Sequence, residues 1–128
     1  MITGFYCTNV FSEHAKELID FYREVLEIPV IKIDADDSNG VYFGFIENAP
    51  TLCIWDCEIF NVQPTGHQSF VFQTDNLDLT MECLKKKGVA LSDAIRYDWG
   101  TYEVRLNDLD GNEIVIMEFV QDFNGIKN

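Results

Sequence analysis

One order of elements, strand, helix, strand, strand, strand, is written twice in this 128-residue chain, the copies offset by roughly 60 residues. In the first copy, residues 2–10 (ITGFYCTNV) are short, β-branched and aromatic, the mark of a strand. Ser12 is placed to cap the element that follows, with Glu13 in its first turn. Ala15, Leu18, Ile19, Tyr22, Val25 and Leu26 then recur at helical spacing, which predicts an amphipathic helix over 13–26 that Pro29 stops. Val30–Ile33 is the next strand. An acidic loop from Asp34 ends in Asn39-Gly40, a hairpin signal. Val41–Ile46 and Thr51–Trp55 complete the copy, on either side of an Asn48-Ala49-Pro50 turn.

Residues 58–67 (EIFNVQPTGH) carry Pro and Gly and no period, and read as a connector. The order then begins again. Ser69–Gln73 alternates small or polar residues with Phe, as a half-buried strand does. Asp75 or Asn76 caps a second helix with Leu77, Met81 and Leu84 on one face. Lys85, Lys86 and Lys87 lie at its C-terminal end, where the dipole favours cations, and Gly88 is a natural stop. A strand follows in Val89–Leu91 or near Ile95–Asp98, then Tyr102–Leu106, a tight Asp108–Asn112 turn and Glu113–Val120.

The fold class expected is α+β: two paired βαβββ modules, each with one sheet face under a helix and one face open. Placed side by side, the open faces form a concave sheet cleft, the default ligand site. At this length the expectation is a single domain over 1–128, with module one about 2–57, the connector 58–67, module two about 68–120 and a tail 121–128.

Charge removes classes of function. Nine Lys and Arg face 22 Asp and Glu, a net charge of −13. Phosphate backbones need a basic footprint, so nucleic acid and anionic membrane are poor partners. An acidic field suits cationic small molecules, and it also serves plain solubility. No run approaches the length of apolar chain that spans a bilayer, and the first residues lack a signal-peptide pattern, so the chain reads as cytoplasmic. Cys7, Cys53, Cys57 and Cys83 are then expected as reduced, small core residues. Cys53-x3-Cys57 has the wrong spacing for a zinc knuckle. There is no G-x-S-x-G and no Gly-rich phosphate loop; Asp36-Asp37 and the Lys triplet read as solvated charge.

Trp99-Gly100, followed by Arg105–Glu118 (RLNDLDGNEIVIME), resembles the WG…DPDGN-x-IEL-x-E close of the vicinal oxygen chelate superfamily. That superfamily holds glyoxalase I, extradiol dioxygenases and bleomycin-resistance proteins. Phe21–Leu26 (FYREVL) resembles its FYREVLGF element, and Phe70–Asp78 its second-half strand and helix start. The resemblance covers about residues 2–120 and implies the glyoxalase/bleomycin-resistance fold. Fold alone does not give function.

Metal-dependent members of that superfamily hold a divalent ion with four side chains, two per half, on the first and last strands of each module. Carried over, the first-strand position falls in Phe5-Tyr6-Cys7 and the fourth-strand acid falls in Leu52-Cys53-Ile54. The fifth-strand His position holds Ser69, and the Glu of IEL, three residues after Asn112, holds Val115. The usual Pro is absent from Asp108-Leu109-Asp110. Thiol, hydroxyl and aliphatic groups do not replace a His, Glu or Gln set around Ni, Zn, Mn or Fe. A shifted set would have to use His67, two residues before Ser69 and on its strand face. Glu118 has the opposite parity to Val115, and His14 sits in the first turn of the first helix as a solvated side chain.

Strand parity puts Ser69, Val71 and Gln73 on the open side with Val115, Met117 and Phe119, and puts Phe70, Phe72, Ile114 and Ile116 under the helices. The candidate ligand-binding residues are Trp55, Ser69, Gln73, Trp99, Arg105, Val115 and Met117, with no metal and no cofactor. Trp55 and Trp99 stand at strand ends, where aromatics stack on flat or cationic ligands, or close an edge or a dimer contact. Arg105 shares a face with Glu103 and Asn107; it either forks a ligand carboxylate or pairs with a neighbouring acid. By resemblance to the metal-free bleomycin-resistance-type members, the expectation is a cytoplasmic homodimer. It sequesters a small organic ligand, cationic or aromatic, without a metal. Two other classes stay open: a glyoxalase-type lyase or dioxygenase with a shifted ligand set, and a non-catalytic module for assembly or regulation.

Overall fold

The computed structural model describes residues 1–33 and 40–120. The elements run β1 (Cys7–Ser12), α1 (Ala15–Asp20), a π-helical turn (Phe21–Val25), β2 (Val30–Ile33), β3 (Gly40–Phe43), β4 (Thr51–Asp56), α2 (Cys57–Phe60), β5 (Ser69–Gln73), α3 (Leu77–Lys86), β6 (Ile95–Arg96), β7 (Thr101–Asn107) and β8 (Glu113–Phe119). They form two compact units, one over Met1–Gly66 and one beginning at His67.

Each unit is a four-stranded mixed sheet. The orders are β1-β4-β3-β2 and β5-β8-β7-β6. In the first, β1 runs parallel to β4 with Cys7 beside Thr51 and Asn9 beside Cys53. In the second, β5 runs parallel to β8 with Ser69 beside Glu113, Val71 beside Val115 and Gln73 beside Met117. The repeat in the sequence is thus a repeat of topology and of register, and the fold class is the α+β arrangement expected.

Helix α1 packs on β1 and β4, and α3 on β7 and β8. Val10, Val41, Phe43 and Ile54 meet Leu18, Ile19 and Tyr22 to form the first core. Leu77 and Leu84 meet Val104, Leu106, Ile114 and Ile116 in the second. Burying such side chains contributes about 1.5–3 kcal/mol each. The opposite face of each sheet carries the other parity; in the first unit Phe60 of α2 packs there against Phe11 and Trp55.

Several local expectations shift. The first strand starts at Cys7, because Ile2, Phe5 and Tyr6 remain exposed. Ser12 closes β1 and is fully buried, its hydroxyl accepting from the His14 N–H; His14 stands at the helix N-cap without a side-chain bond. The helix expected over 13–26 keeps α-geometry only to Asp20. The Leu26 N–H then reaches Phe21 O, five residues back, and Glu27 at φ 56° ends the element before Pro29. The third strand stops at Phe43, with Phe45 and Ile46 exposed beyond it. The connector holds one helical turn, capped by Asp56 on the Glu58 N–H. The second helix is capped by Asn76, which accepts from the Leu79 N–H. Of the two candidate strands after it, Ile95–Arg96 forms. Cys53 and Cys57 are core residues, Cys7 is half-buried and Cys83 is exposed. The Asp34–Asn39 loop and the 121–128 tail lie outside the described residues. Among the described residues no helix is long and apolar enough to cross a membrane.

Candidate functional site

The open face of the second sheet gathers six of the seven candidate residues. Ser69, Gln73, Val115 and Met117 stand on β5 and β8 with the predicted parity. Ser69 and Gln73 are exposed and Val115 is buried, while Val71 between the first two is 59% exposed. On β7, Arg105 lies beside Val115 and Glu103 beside Met117. Trp99 precedes β7 and is 50% exposed.

A polar chain crosses this face. The Trp99 indole N–H donates to Thr101 Oγ1 at 2.7 Å, and the Thr101 hydroxyl donates to Glu103 Oε2 at 2.7 Å. Arg105 NH2 reaches Glu103 Oε1 at 3.3 Å, its Nε lies 3.8 Å from Glu113 Oε2, and its NH1 donates to the Tyr97 hydroxyl at 3.2 Å. The Ser69 hydroxyl donates to Glu113 Oε1 at 2.9 Å. The Tyr97 hydrogen bond raises the Arg105 pKa above its ordinary value; burial opposes this, and the charges of Glu103 and Glu113 add to it. Arg105 therefore pairs with neighbouring acids, and its donors are already directed at them. One guanidinium and two carboxylates leave the cluster one negative charge.

The cluster depends on the turn that joins β7 to β8. Asn112 is fully buried. It donates to Asp108 Oδ2 at 2.8 Å and accepts the Gln68 N–H at 2.8 Å. The same residue thus sets the turn and ties β5 to it, which brings Ser69 level with Glu113. His67 lies against that turn, its Nε2 3.2 Å from where a Cβ on Gly111 would stand. Glu118 points to the helix side, as its parity predicts, and accepts the Leu77 N–H at 2.8 Å at the start of α3. Tyr97, Thr101, Glu103 and Glu113 were not among the candidates. Strand parity with Arg105 and Val115 carries the signal for the two acids.

Trp55 belongs to the first unit and is only 9% exposed. Its ring lies across Gly40, where a Cβ would come within 2.0 Å of Cε3. It packs edge-on to Tyr42 and Phe60, and its N–H donates to Asn9 Oδ1 at 2.8 Å. The Cys7 thiol donates weakly to that same oxygen, and Cys53 Sγ lies 3.5 Å from Thr51 Oγ1.

The donor set does not fit a divalent ion of the kind metal-dependent superfamily members carry. Of the four positions the resemblance implies, two hold Ser69 and Val115, and the stretches of the other two hold Phe5-Tyr6-Cys7 and Leu52-Cys53-Ile54. Among the described residues, no three His, Cys, Asp or Glu side chains converge as a metal would require.

Residues 5–116 match the family described as the Glyoxalase/Bleomycin resistance protein/Dioxygenase superfamily. No curated protein shows significant sequence similarity to the chain. Among solved structures, TnmS3, an antibiotic binding protein from a Streptomyces species, superposes with a TM-score of 0.73 at 19% identity, covering 91% of this chain and 96% of that one. A lactoylglutathione lyase from Agrobacterium tumefaciens superposes with a TM-score of 0.68 at 19% identity, covering 92% and 95%. A superfamily member from Sphaerobacter thermophilus gives 0.72 at 17% identity, covering 91% and 98%. At such identities the likeness is one of fold: the same scaffold carries a binding protein and an enzyme.

Proposed function

Because the chain belongs to the Glyoxalase/Bleomycin resistance protein/Dioxygenase superfamily, we propose that it is a metal-independent small-molecule binding protein. It sequesters a flat, cationic aromatic compound on the open face of its second sheet, as a homodimer in the cytoplasm. The observation that carries this reading is the Glu103–Arg105–Glu113 cluster beside the stacked rings of Tyr97 and Trp99. A net negative cluster repels an anionic ligand and attracts a cation, and an indole face adds a cation–π contribution of about 0.5–2 kcal/mol. Val71 and Met117 supply apolar surface between the polar groups, the usual composition of an organic-ligand site. The donor set supports the metal-free part of the reading, and the antibiotic-binding neighbour supports the sequestering part. The exposed Phe45 and Ile46 on the first unit supply apolar surface of the kind subunits cover.

The test uses chelator-stripped protein. It is titrated by calorimetry with Ni, Zn, Mn and Fe(II), then with proflavine, a planar cationic dye. The expected result is saturable dye binding and no stoichiometric ion. Uptake of one ion per chain that is lost in His67→Ala, without dye binding, overturns the reading in favour of a glyoxalase-type lyase or dioxygenase. Light scattering checks the dimer.

A further inference from the structure

Arg105 is the loosely seated member of an otherwise fixed cluster. Its main chain is held from both sides. The N–H donates to Ser92 Oγ at 2.9 Å, the carbonyl accepts the Ser92 N–H at 2.9 Å, and Val115 is its register partner on β8. The two carboxylates beside it are oriented by other groups. Glu103 Oε2 accepts the Thr101 hydroxyl at 2.7 Å, and Glu113 Oε1 accepts the Ser69 hydroxyl at 2.9 Å. The guanidinium itself lies 3.3 Å from Glu103, 3.8 Å from Glu113 and 3.2 Å from the Tyr97 hydroxyl. A charge-assisted N–H···O bond closes to about 2.7–2.9 Å, so none of these is at full strength. The side chain is partly exposed, and a rotamer change takes it to solvent without moving β7.

What Arg105 fills is a seat for a planar, forked cation. Glu103 Oε1, Glu113 Oε2 and the Tyr97 hydroxyl converge on it, and the Tyr97 ring carries the stacked Trp99 indole. An amidinium or guanidinium joined to an aromatic ring offers the same fork to these acceptors. It also continues into a ring that can lie on the stacked pair, which an arginine stem cannot do. A compact ammonium brings the charge without the fork. An anion meets two carboxylates.

We propose that Arg105 is an autoinhibitory stand-in for the ligand: its guanidinium occupies the seat of an aryl amidinium or aryl guanidinium and swings to solvent when that ligand binds. The proposal rests on the reading that the open face of the second sheet takes a cationic aromatic compound, and it narrows that class to planar, forked cations. A ligand that has to displace a seated group binds with lower apparent affinity, so Arg105 sets how much ligand is needed before the site fills.

The experiment titrates the parent chain and Arg105→Gln by calorimetry with three probes: proflavine, 2-naphthamidine, and 2-naphthylmethylamine, which carries the same ring with a compact ammonium. Arg105→Gln is expected to bind 2-naphthamidine about tenfold more tightly than the parent does. Proflavine and 2-naphthylmethylamine gain only about two- to fivefold, from the lost charge. Circular dichroism verifies that the variant is folded. A second readout needs no variant: in the parent, the magnetic resonance signal of the Arg105 Nε–H moves to its solvent-exposed position as 2-naphthamidine saturates. Equal gains for the three probes, or an Arg105 signal that stays in place at saturation, overturn the stand-in while leaving the cationic-ligand reading intact. Failure of that reading looks different: no probe, proflavine included, saturates either protein, and both then fall.

Discussion

Trp99 and Tyr97 stack face to face, their ring centres 4.2 Å apart and their planes 9° from parallel. The pair exists because the chain turns between them and β7. The Tyr97 N–H bonds Thr101 O at 2.8 Å, and Gly100 takes φ 106°, a conformation any Cβ would strain. Each ring is also held by its polar end, Trp99 by Thr101 and Tyr97 by Arg105. A platform fixed before the ligand arrives loses little entropy on binding.

Trp99→Ala is expected to weaken proflavine binding by about 1–2 kcal/mol, or roughly five- to thirtyfold. Trp99→Phe keeps most of the affinity. Trp99→Ala also removes the stack on Tyr97 and the bond to Thr101, so stability should fall by about 1–2 kcal/mol. Calorimetric titration with a urea midpoint for each variant checks both statements. Unchanged dye affinity in Trp99→Ala would remove the aromatic platform from the site.

Arg105→Gln separates two roles for that residue. If Arg105 held a ligand carboxylate, the variant would lose binding. With its donors on Glu103 and Glu113, the expected effect is the reverse: proflavine binds roughly two- to fivefold more tightly at low salt, and the gain fades as salt rises. Stability falls by about 1 kcal/mol, because the buried Glu103 keeps only the Thr101 hydroxyl. The loss is small because the Arg105 side chain is 39% exposed. Dye titrations at two salt concentrations, paired with urea midpoints, read both signs.

Strand parity alone was enough to sort Ser69, Val71 and Gln73 from Phe70 and Phe72, since a period of two leaves no other choice once one face is apolar. The same parity placed Glu118 on the helix side, where it caps α3. Pairing across strands was not legible. Arg105 meets Glu113 only because the Asp108–Asn112 turn sets β7 against β8 with Asn107 beside Glu113. A turn one residue longer would turn every side chain to the other face. Tyr97 was missed because β6 is two residues long and has no period to read. The switch at Phe21 was equally hidden: a five-residue hydrogen bond leaves the apolar spacing of Tyr22, Val25 and Leu26 unchanged. Trp55 was legible as a strand-end aromatic, but its burial depends on Gly40, fifteen positions away on a neighbouring strand.

Gly40→Ala tests that dependence. The new Cβ would stand 2.0 Å from Trp55 Cε3, so the indole has to move and its bond to Asn9 is lost. The expected cost is about 1–3 kcal/mol, the usual range for overpacking a filled site. Urea unfolding reads it as a lower midpoint with an unchanged slope. Trp55 emission shifts to the red as the ring gains water, and proflavine affinity at the second unit is preserved. A variant as stable as the parent would mean that Trp55 is held by something other than its seat on Gly40.

Cys53 gives the chain an alkaline dependence whose sign follows from its surroundings. Burial is the main cause that pushes its thiol up to about 11; Thr51 opposes the shift and Cys7 adds to it. In the unfolded chain the thiol titrates near 9.0. Between about pH 9 and 11 the folded chain therefore holds a proton that the unfolded chain has released, and stability falls as pH rises through that window. Below pH 9 the contribution is fully present. Cys57 and Tyr102 are also raised, Cys57 first by burial and Tyr102 first by its hydrogen bond to Asp78, so the total slope is shared. Comparison with Cys53→Ala isolates this thiol, and the variant should lose less stability than the parent between about pH 8.5 and 10.5. Thiol labelling near pH 8 gives a second readout: the exposed Cys83 reacts first and Cys53 only as the unit unfolds. Equal pH slopes in the two proteins, or Cys53 labelling as fast as Cys83, would contradict a protonated, buried thiol at this position.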